Sequence, residues 1–205
     1  VDEKEATIAT AFYKAQTMVV TETRIFVTYQ LGGPSEIRVF DHNGRRVEDP
    51  NLPPVSRIGG KLVPLGGDEI MFSVSSFLGP TAWYRYDGKT NKTKKTKLSG
   101  KSKVDFSDIE VVREFTKSKD GTRVPINILR KKDIKLRGQH PALLTGYGGY
   151  GFSYGPYFDP LLRIWFDKGG VFAIANIRGG GEYGEKWHKD GMLMNKQNSF
   201  DDFYA

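Results

Sequence analysis

The chain has 205 residues, enough for one large domain or two small ones, and its 38% hydrophobic and 27% charged content is that of a folded rather than a disordered protein. No apolar run approaches the roughly 20 residues needed to cross a bilayer, no charged-then-apolar leader opens the sequence, and zero cysteines exclude disulfides and thiolate metal sites. The net charge of +7 is concentrated at Lys89, Lys92, Lys94, Lys95, Lys97, Lys101 and Lys103, without the interleaved aromatics or arginines of a nucleic-acid surface, so a solvated edge strand guarded by lysines is expected there.

Up to Ser99 the pattern is one of short strands separated by turns. Residues 24–29 alternate, 36–41 follow, and Asn43-Gly44 marks a hairpin turn into a strand at 45–48. Further strands are expected at 55–58, 69–75, 82–87 and 93–98. This spacing suits a sandwich or a propeller, and the rhythm from Met18 to Ser99 fits roughly two four-stranded blades of ~40–45 residues each. No strict repeat decides between the two.

The chain divides near residues 103–107. Beyond it, 109–117 and 123–131 alternate and are joined through Lys119-Asp120-Gly121, which predicts a hairpin at the edge of the following sheet. Residues 141–145 and 170–175 read as buried parallel strands. Between them, 160–168 is amphipathic, with Leu161, Leu162, Trp165 and Phe166 on its apolar face and Gly169-Gly170 as its stop. A helical pattern covers 182–189, and Ser199 is expected to cap a last helix with Asp201 and Asp202 in its first turn. The sequence stops about one turn into that helix, so a fragment of a longer protein is expected. Two buried strands, each followed by a glycine-rich loop and a helix, describe half of an open α/β sheet, whose sites form beyond the carboxyl ends of its strands.

Three short patterns fall in this region. Gly151-Phe152-Ser153-Tyr154-Gly155 fits the G-x-S-x-G elbow, but no strand leads into Ser153 and Pro156 follows at once, so a plain loop is expected. Gly146-x-Gly148-x-x-Gly151 and Gly179-x-Gly181-x-x-Gly184 fit a dinucleotide fingerprint without its full βαβ context, and no nicotinamide is expected. Backbone N–H groups in such loops can stabilise an oxyanion, and the phenol of Tyr147 can donate to the same charge. The alternative is that Tyr147 and Tyr150 are packed aromatics with wet hydroxyls; the pattern leaves both open.

The residues also carry a family resemblance. Gly146-Tyr147-Gly148-Gly149-Tyr150-Gly151, the block from Gly169 through Asn176-Ile177-Arg178-Gly179-Gly180-Gly181-Glu182-Tyr183-Gly184, Trp187-His188-Lys189 and Lys196-Gln197-Asn198-Ser199-Phe200-Asp201-Asp202-Phe203 resemble the prolyl oligopeptidases. Ser118-Lys119-Asp120-Gly121-Thr122 resembles the hairpin that opens that family's catalytic domain, and Ser75-Ser76-Phe77-Leu78-Gly79-Pro80 its last propeller blade. The resemblance implies an α/β hydrolase, of which this chain holds the N-terminal part of the catalytic domain (105–205), preceded by the last blades of a seven-bladed β-propeller (1–104).

It further implies a serine endopeptidase that cleaves proline-containing oligopeptides after proline, with no cofactor and no metal. Tyr147 would be the oxyanion donor, and Tyr150, where the family usually has phenylalanine, would line the proline pocket. The nucleophilic serine, its aspartate and its histidine would lie beyond Ala205, so these residues alone would be inactive. His42, His140 and His188 read as surface or packing histidines. The expected parent is a monomeric, cytoplasmic enzyme with no membrane and no nucleic-acid partner. Two alternatives stand beside this reading: cleavage after basic residues, as in oligopeptidase B, and an inactive propeller-hydrolase scaffold.

Overall fold

A computed structural model describes residues 15–135 and 137–205. They group into two units, one taking the described residues up to Ser76 with Pro80–Lys101 and Gly155–Tyr157, the other Phe77–Gly79, Ser102–Tyr154 and Phe158–Ala205.

The first unit is antiparallel throughout. Strands β1 (Ala15–Val20), β2 (Arg24–Gln30) and β3 (Ser35–Asp41) form one sheet in that order. Strands β4 (Ser56–Gly66), β5 (Glu69–Ser76), β6 (Ala82–Asp87) and β7 (Lys92–Ser99) form a four-stranded meander. Period-two alternation decides which side chains enter the core. Ile70, Phe72 and Val74 of β5 point inward and join Phe26, Ile37, Val39, Ile58, Leu62 and Tyr86 in one apolar cluster. Tyr86 is fully buried with its ring edge 5.9 Å from Phe26, and its hydroxyl donates to the Glu48 carbonyl at 2.8 Å. Burial, reinforced by the Glu48 and Asp49 carboxylates, pushes that phenol up to about 12.

Two expectations change here. A strand at Ala15–Val20 carries no turn signal at its start and was not foreseen. The Asn43-Gly44 turn forms, with the Asp41 carboxylate accepting from the backbone N–H groups of Asn43 and Arg45, but 45–48 makes only an isolated bridge between Phe40 and Arg46. The chain is instead held by Val47 N–H on the Val39 carbonyl and by Val39 N–H on the Asp49 carboxylate. A side-chain acceptor thus takes a ladder donor that a longer strand would have used. Four lysines of the run, Lys92, Lys94, Lys95 and Lys97, lie on β7, the exposed outer strand of its sheet among the described residues, as expected of a guarded edge, while Lys89, Lys101 and Lys103 flank it.

The second unit is built on a sheet of order β10-β11-β9-β8. Its hairpin joins two nine-residue strands, β8 (Ile109–Lys117) and β9 (Arg123–Lys131), and β9 pairs antiparallel with β11 (Val171–Ala175), which runs parallel to β10 (Ala142–Gly146). A parallel neighbour requires a crossover, and the connection carries α1 (Leu162–Asp167). Phe166 of α1 is fully buried against Phe106, and Arg163 forks onto Asp108 at 2.6 and 3.1 Å. Helices α2 (Glu185–Lys189) and α3 (Gln197–Tyr204) follow.

Four further expectations are corrected. Strand β10 is exposed rather than buried, because among the described residues it is the end strand of its sheet, with a neighbour only on its β11 side. Leu161 is 70% exposed and precedes α1, whose buried contact is Phe166. Ser199 is not a cap: it lies inside α3, which starts at Gln197, and Asp202 is buried rather than placed for the helix dipole. The helical pattern from 182 begins only at Glu185, leaving Glu182 in the preceding turn.

Removing a buried ring leaves a cavity as well as lost transfer energy. We expect Phe72→Ala to destabilise the first unit by about 3–5 kcal/mol and Leu98→Ala, on the exposed edge strand, to cost no more than about 0.5 kcal/mol. Urea titration followed by far-ultraviolet circular dichroism measures both.

Candidate functional site

Because β10 and β11 are parallel neighbours, the loops that leave their carboxyl ends emerge side by side. The first runs through Tyr147, Gly148 and Tyr150 to Tyr154, and the second from Asn176 to Gly184. They interlock by backbone: Gly151 N–H donates to the Gly179 carbonyl at 3.1 Å and Gly181 N–H to the Phe152 carbonyl at 3.4 Å. This approach excludes side chains. A Cβ on Gly179, at φ 95°, would lie 2.2 Å from the Gly148 carbonyl oxygen, and one on Gly148, at φ 57°, would lie 2.5 Å from Ile177 Cγ1.

Charge fixes the second loop. Arg178 is 3% exposed, and its Nε and Nη2 meet both oxygens of Asp202 at 2.6–3.1 Å. Its backbone N–H also donates to Asp202, at 2.9 Å, while Nη1 reaches Asp120 and Nη2 reaches Ser118 Oγ at 3.2 Å. The Asp202 hydrogen bonds outweigh burial and hold the guanidinium charged well above its ordinary value. The same contact from Arg178 holds the Asp120 carboxyl well below the usual carboxylate range. The Ser199 hydroxyl lies between the carbonyls of Arg178 at 2.7 Å and Gly191 at 3.0 Å. His188 Nδ1 donates to the Gly179 carbonyl at 2.7 Å, and Lys196 Nζ donates to the Gly148 carbonyl.

A second polar group lies behind the loops. Asn127 Nδ2 donates to Asn176 Oδ1 at 2.9 Å, and Asn176 Nδ2 donates to the Tyr154 carbonyl at 2.7 Å and to Glu182 Oε1 at 3.2 Å. Glu182, 2% exposed, also accepts from the Tyr154 N–H at 3.0 Å. Burial pushes its carboxyl up, against the downward pull of those hydrogen bonds.

The structure brings Tyr147 and Tyr150 to one depression of about 680 Å³, lined also by Gly151, Phe152 and Tyr154. Tyr147 is half-exposed, its ring edge-on to Phe152 at 5.9 Å, and among the described residues its hydroxyl has no hydrogen-bond partner. Tyr150 is 93% exposed and sits at φ 53°, a left-handed conformation that turns it out from the loop. The depression can therefore offer a phenolic donor beside an aromatic wall. Ser153 lies in the loop, not on a strand-to-helix elbow. His42 and His140, like His188, rest on backbone carbonyls. No cluster of metal-binding side chains occurs, and no helix is long and apolar enough to cross a membrane, among the described residues.

The sequence assigns no site role to Arg178, Glu182 or Asn176, and marks Asp202 only as an acidic residue in the first turn of a helix. The available signal was a charged residue three positions beyond a fully apolar strand, which must find a partner if the loop is buried.

Comparison with known proteins agrees on one family. A family model described as the prolyl oligopeptidase N-terminal beta-propeller domain matches residues 5–99, and one described as the prolyl oligopeptidase family matches 156–205. A prolyl endopeptidase of Elizabethkingia miricola is 36% identical over 186 residues, which is 88% of this chain and 25% of that protein. A solved structure from a study of two prolyl endopeptidases superposes with a TM-score of 0.80 at 35% identity, covering 93% of this chain and 28% of that one. Prolyl oligopeptidase B of Galerina marginata, bound to a 35mer hydrolysis and macrocyclization substrate, gives 0.77 at 30% identity, over 94% and 28% of the two chains. The chain thus spans about a quarter of the length of the curated relatives it matches.

Asp202 is fully buried and Asp120 half-exposed, which sets their relative weights. Asp202→Ala should cost about 3–5 kcal/mol by stranding a buried guanidinium, whereas Asp120→Ala should cost under about 1 kcal/mol. Because the Asp120 carboxyl is lowered on folding, its contribution is full above about pH 3.9 and fades as pH falls from there toward its folded value. Denaturation of wild type and Asp120→Asn across pH 2–7 tests this, with the two curves converging at the acid end.

Proposed function

The chain belongs to the prolyl oligopeptidase family, with an α/β-hydrolase start preceded by propeller blades, and on that premise we propose that the whole protein is a serine-type endopeptidase cleaving short peptides after proline. In this reading residues 1–104 are propeller and 105–205 hydrolase, and the propeller limits access to oligopeptides. One observation carries the proposal: a Tyr147 hydroxyl without a hydrogen-bond partner among the described residues stands at an aromatic depression, on a loop held from behind by backbone interlock.

The chemistry is acyl transfer. A serine hydroxyl, its proton taken by histidine, attacks the prolyl carbonyl carbon, and the carbonyl oxygen becomes an oxyanion. Tyr147 Oη donates to that oxygen. Tyr150 supplies a ring against the proline side chain, its extra hydroxyl left in water. Histidine then protonates the leaving amine, and water releases the acyl group. The serine, its aspartate and its histidine are assigned outside these residues, because the histidines present are engaged with carbonyls and Ser153 lacks an elbow. By this reading the 205-residue chain alone hydrolyses nothing.

In the full-length protein, Tyr147→Phe should lower kcat on a proline-linked fluorogenic amide by about 10²–10³-fold; an unchanged kcat would remove Tyr147 from the reaction. The full-length enzyme should also prefer that amide to its arginine-linked counterpart. The reverse preference would favour oligopeptidase B-like cleavage, and no turnover of either would favour a scaffold.

A further inference from the structure

Of the two buried carboxyls at this site, Asp202 is matched by the Arg178 guanidinium, whereas Glu182 has no cation in an ion pair with it among the described residues and no step in the reaction. Oε1 accepts from the Tyr154 N–H at 3.0 Å and from Asn176 Nδ2 at 3.2 Å. Oε2 is buried without a partner among the described residues, and a Cβ on Gly180 would come within 2.0 Å of it. The second glycine-rich loop is thus closed directly over the carboxyl, and Gly180 is the residue that permits it.

What this carboxyl holds is the far end of the first loop. Through Oε1 it fixes the amide of Tyr154, and Asn176, which it also orients, fixes the Tyr154 carbonyl. From Tyr154 the contact passes by rings: Tyr154 meets Phe152 edge-on at 6.0 Å, and Phe152 meets Tyr147 edge-on at 5.9 Å. Edge-to-face pairs are directional, so a shift of one ring turns the next. Among the described residues the hydroxyl of Tyr147 has no hydrogen-bond partner, so these rings and its backbone are what aim it. A carboxyl buried at the cost of an unpartnered oxygen is poorly explained by stability, since such burial opposes folding. It is better explained by what it positions.

We propose that Glu182 is a positioning residue for the Tyr147 hydroxyl, acting through the Tyr154 amide and the Tyr154–Phe152–Tyr147 ring series. The assignment rests on the oxyanion role of Tyr147. It requires an acceptor at Oε1 and no charge, so glutamine should serve and alanine should not. A misplacement of about 1 Å in a reacting group costs up to about 10²-fold in rate, which sets the size of the effect.

The test is a double-mutant cycle in the full-length protein on a proline-linked fluorogenic amide. Glu182→Ala should lower kcat by about 10–100-fold with KM little changed, and Glu182→Gln should restore it to within about threefold. In a Tyr147→Phe background the Glu182→Ala loss should vanish, since the group it aims is gone. A loss of equal size in that background, or no loss in wild type, overturns the proposal. Hydrogen exchange on the same variants separates this from the functional reading. Even if wild type proves inactive on the amide, Glu182→Ala should deprotect the Tyr154 amide and speed exchange across 147–152, with Gln reversing both. Unchanged exchange across that loop overturns the positioning role by itself, including where alanine folds poorly and only Gln and wild type are compared with Glu182→Asp.

Discussion

The arrangement depends on one buried ion pair. Arg178 stands where an apolar strand ends, in a place water does not reach, and a guanidinium there is tolerated only if its charge and its donors are met. Asp202 meets them from α3, with both oxygens on the side chain and one also on the backbone N–H. Asp120 and Ser118 complete the fork from the β8–β9 turn. Two segments distant in sequence, α3 and the β8–β9 turn, are thereby fixed to the loop after β11, and that loop has one conformation in which to pass beneath its neighbour.

Within that frame the constraints are nested. The pinned loop needs glycine at 179 because the Gly148 carbonyl occupies the space of a side chain, and 148 needs glycine because Ile177 does. Lys196 and His188 cap carbonyls of the two loops. The result is that Tyr147 and Tyr150 are offered outward by a segment whose backbone has little freedom, which is what an electrostatic catalyst requires: donors already in place when charge develops. Rigid presentation of a weakly acidic hydroxyl suits the proposed role in acyl transfer better than a packing role, for which a half-exposed Tyr147 and an almost fully exposed Tyr150 on a tight loop would be a poor choice.

Much of the fold was legible where local rules govern. The β8–β9 hairpin was bounded by alternation and an Asp-Gly turn, and the lysine run marked an edge strand because edges are where strands need guarding. The failures share a cause. Residues 45–48 look like a returning strand, but Asp49 satisfies a donor that a ladder would have used. Ser199 and Asp202 have the chemistry of a helix N-terminus, yet long-range partners, the carbonyls of Arg178 and Gly191 and the guanidinium of Arg178, take both. Tyr147 and Tyr150 were named because glycine-rich loops after strands point to a site and the resemblance implies a role for each; their roles are proposals. Glu182 was not, because burial of a carboxyl is a property of tertiary packing and leaves no local mark.

The most direct test of the account is a structure of the full-length protein with a peptidyl-prolinal aldehyde, which a serine nucleophile would convert to a hemiacetal resembling the tetrahedral intermediate. The account predicts a covalent adduct whose oxygen lies about 2.5–3.0 Å from Tyr147 Oη, with the proline ring against Tyr150 and the loop backbone unmoved. An adduct whose oxygen is held by other donors, with Tyr147 more than about 4 Å away, would contradict it.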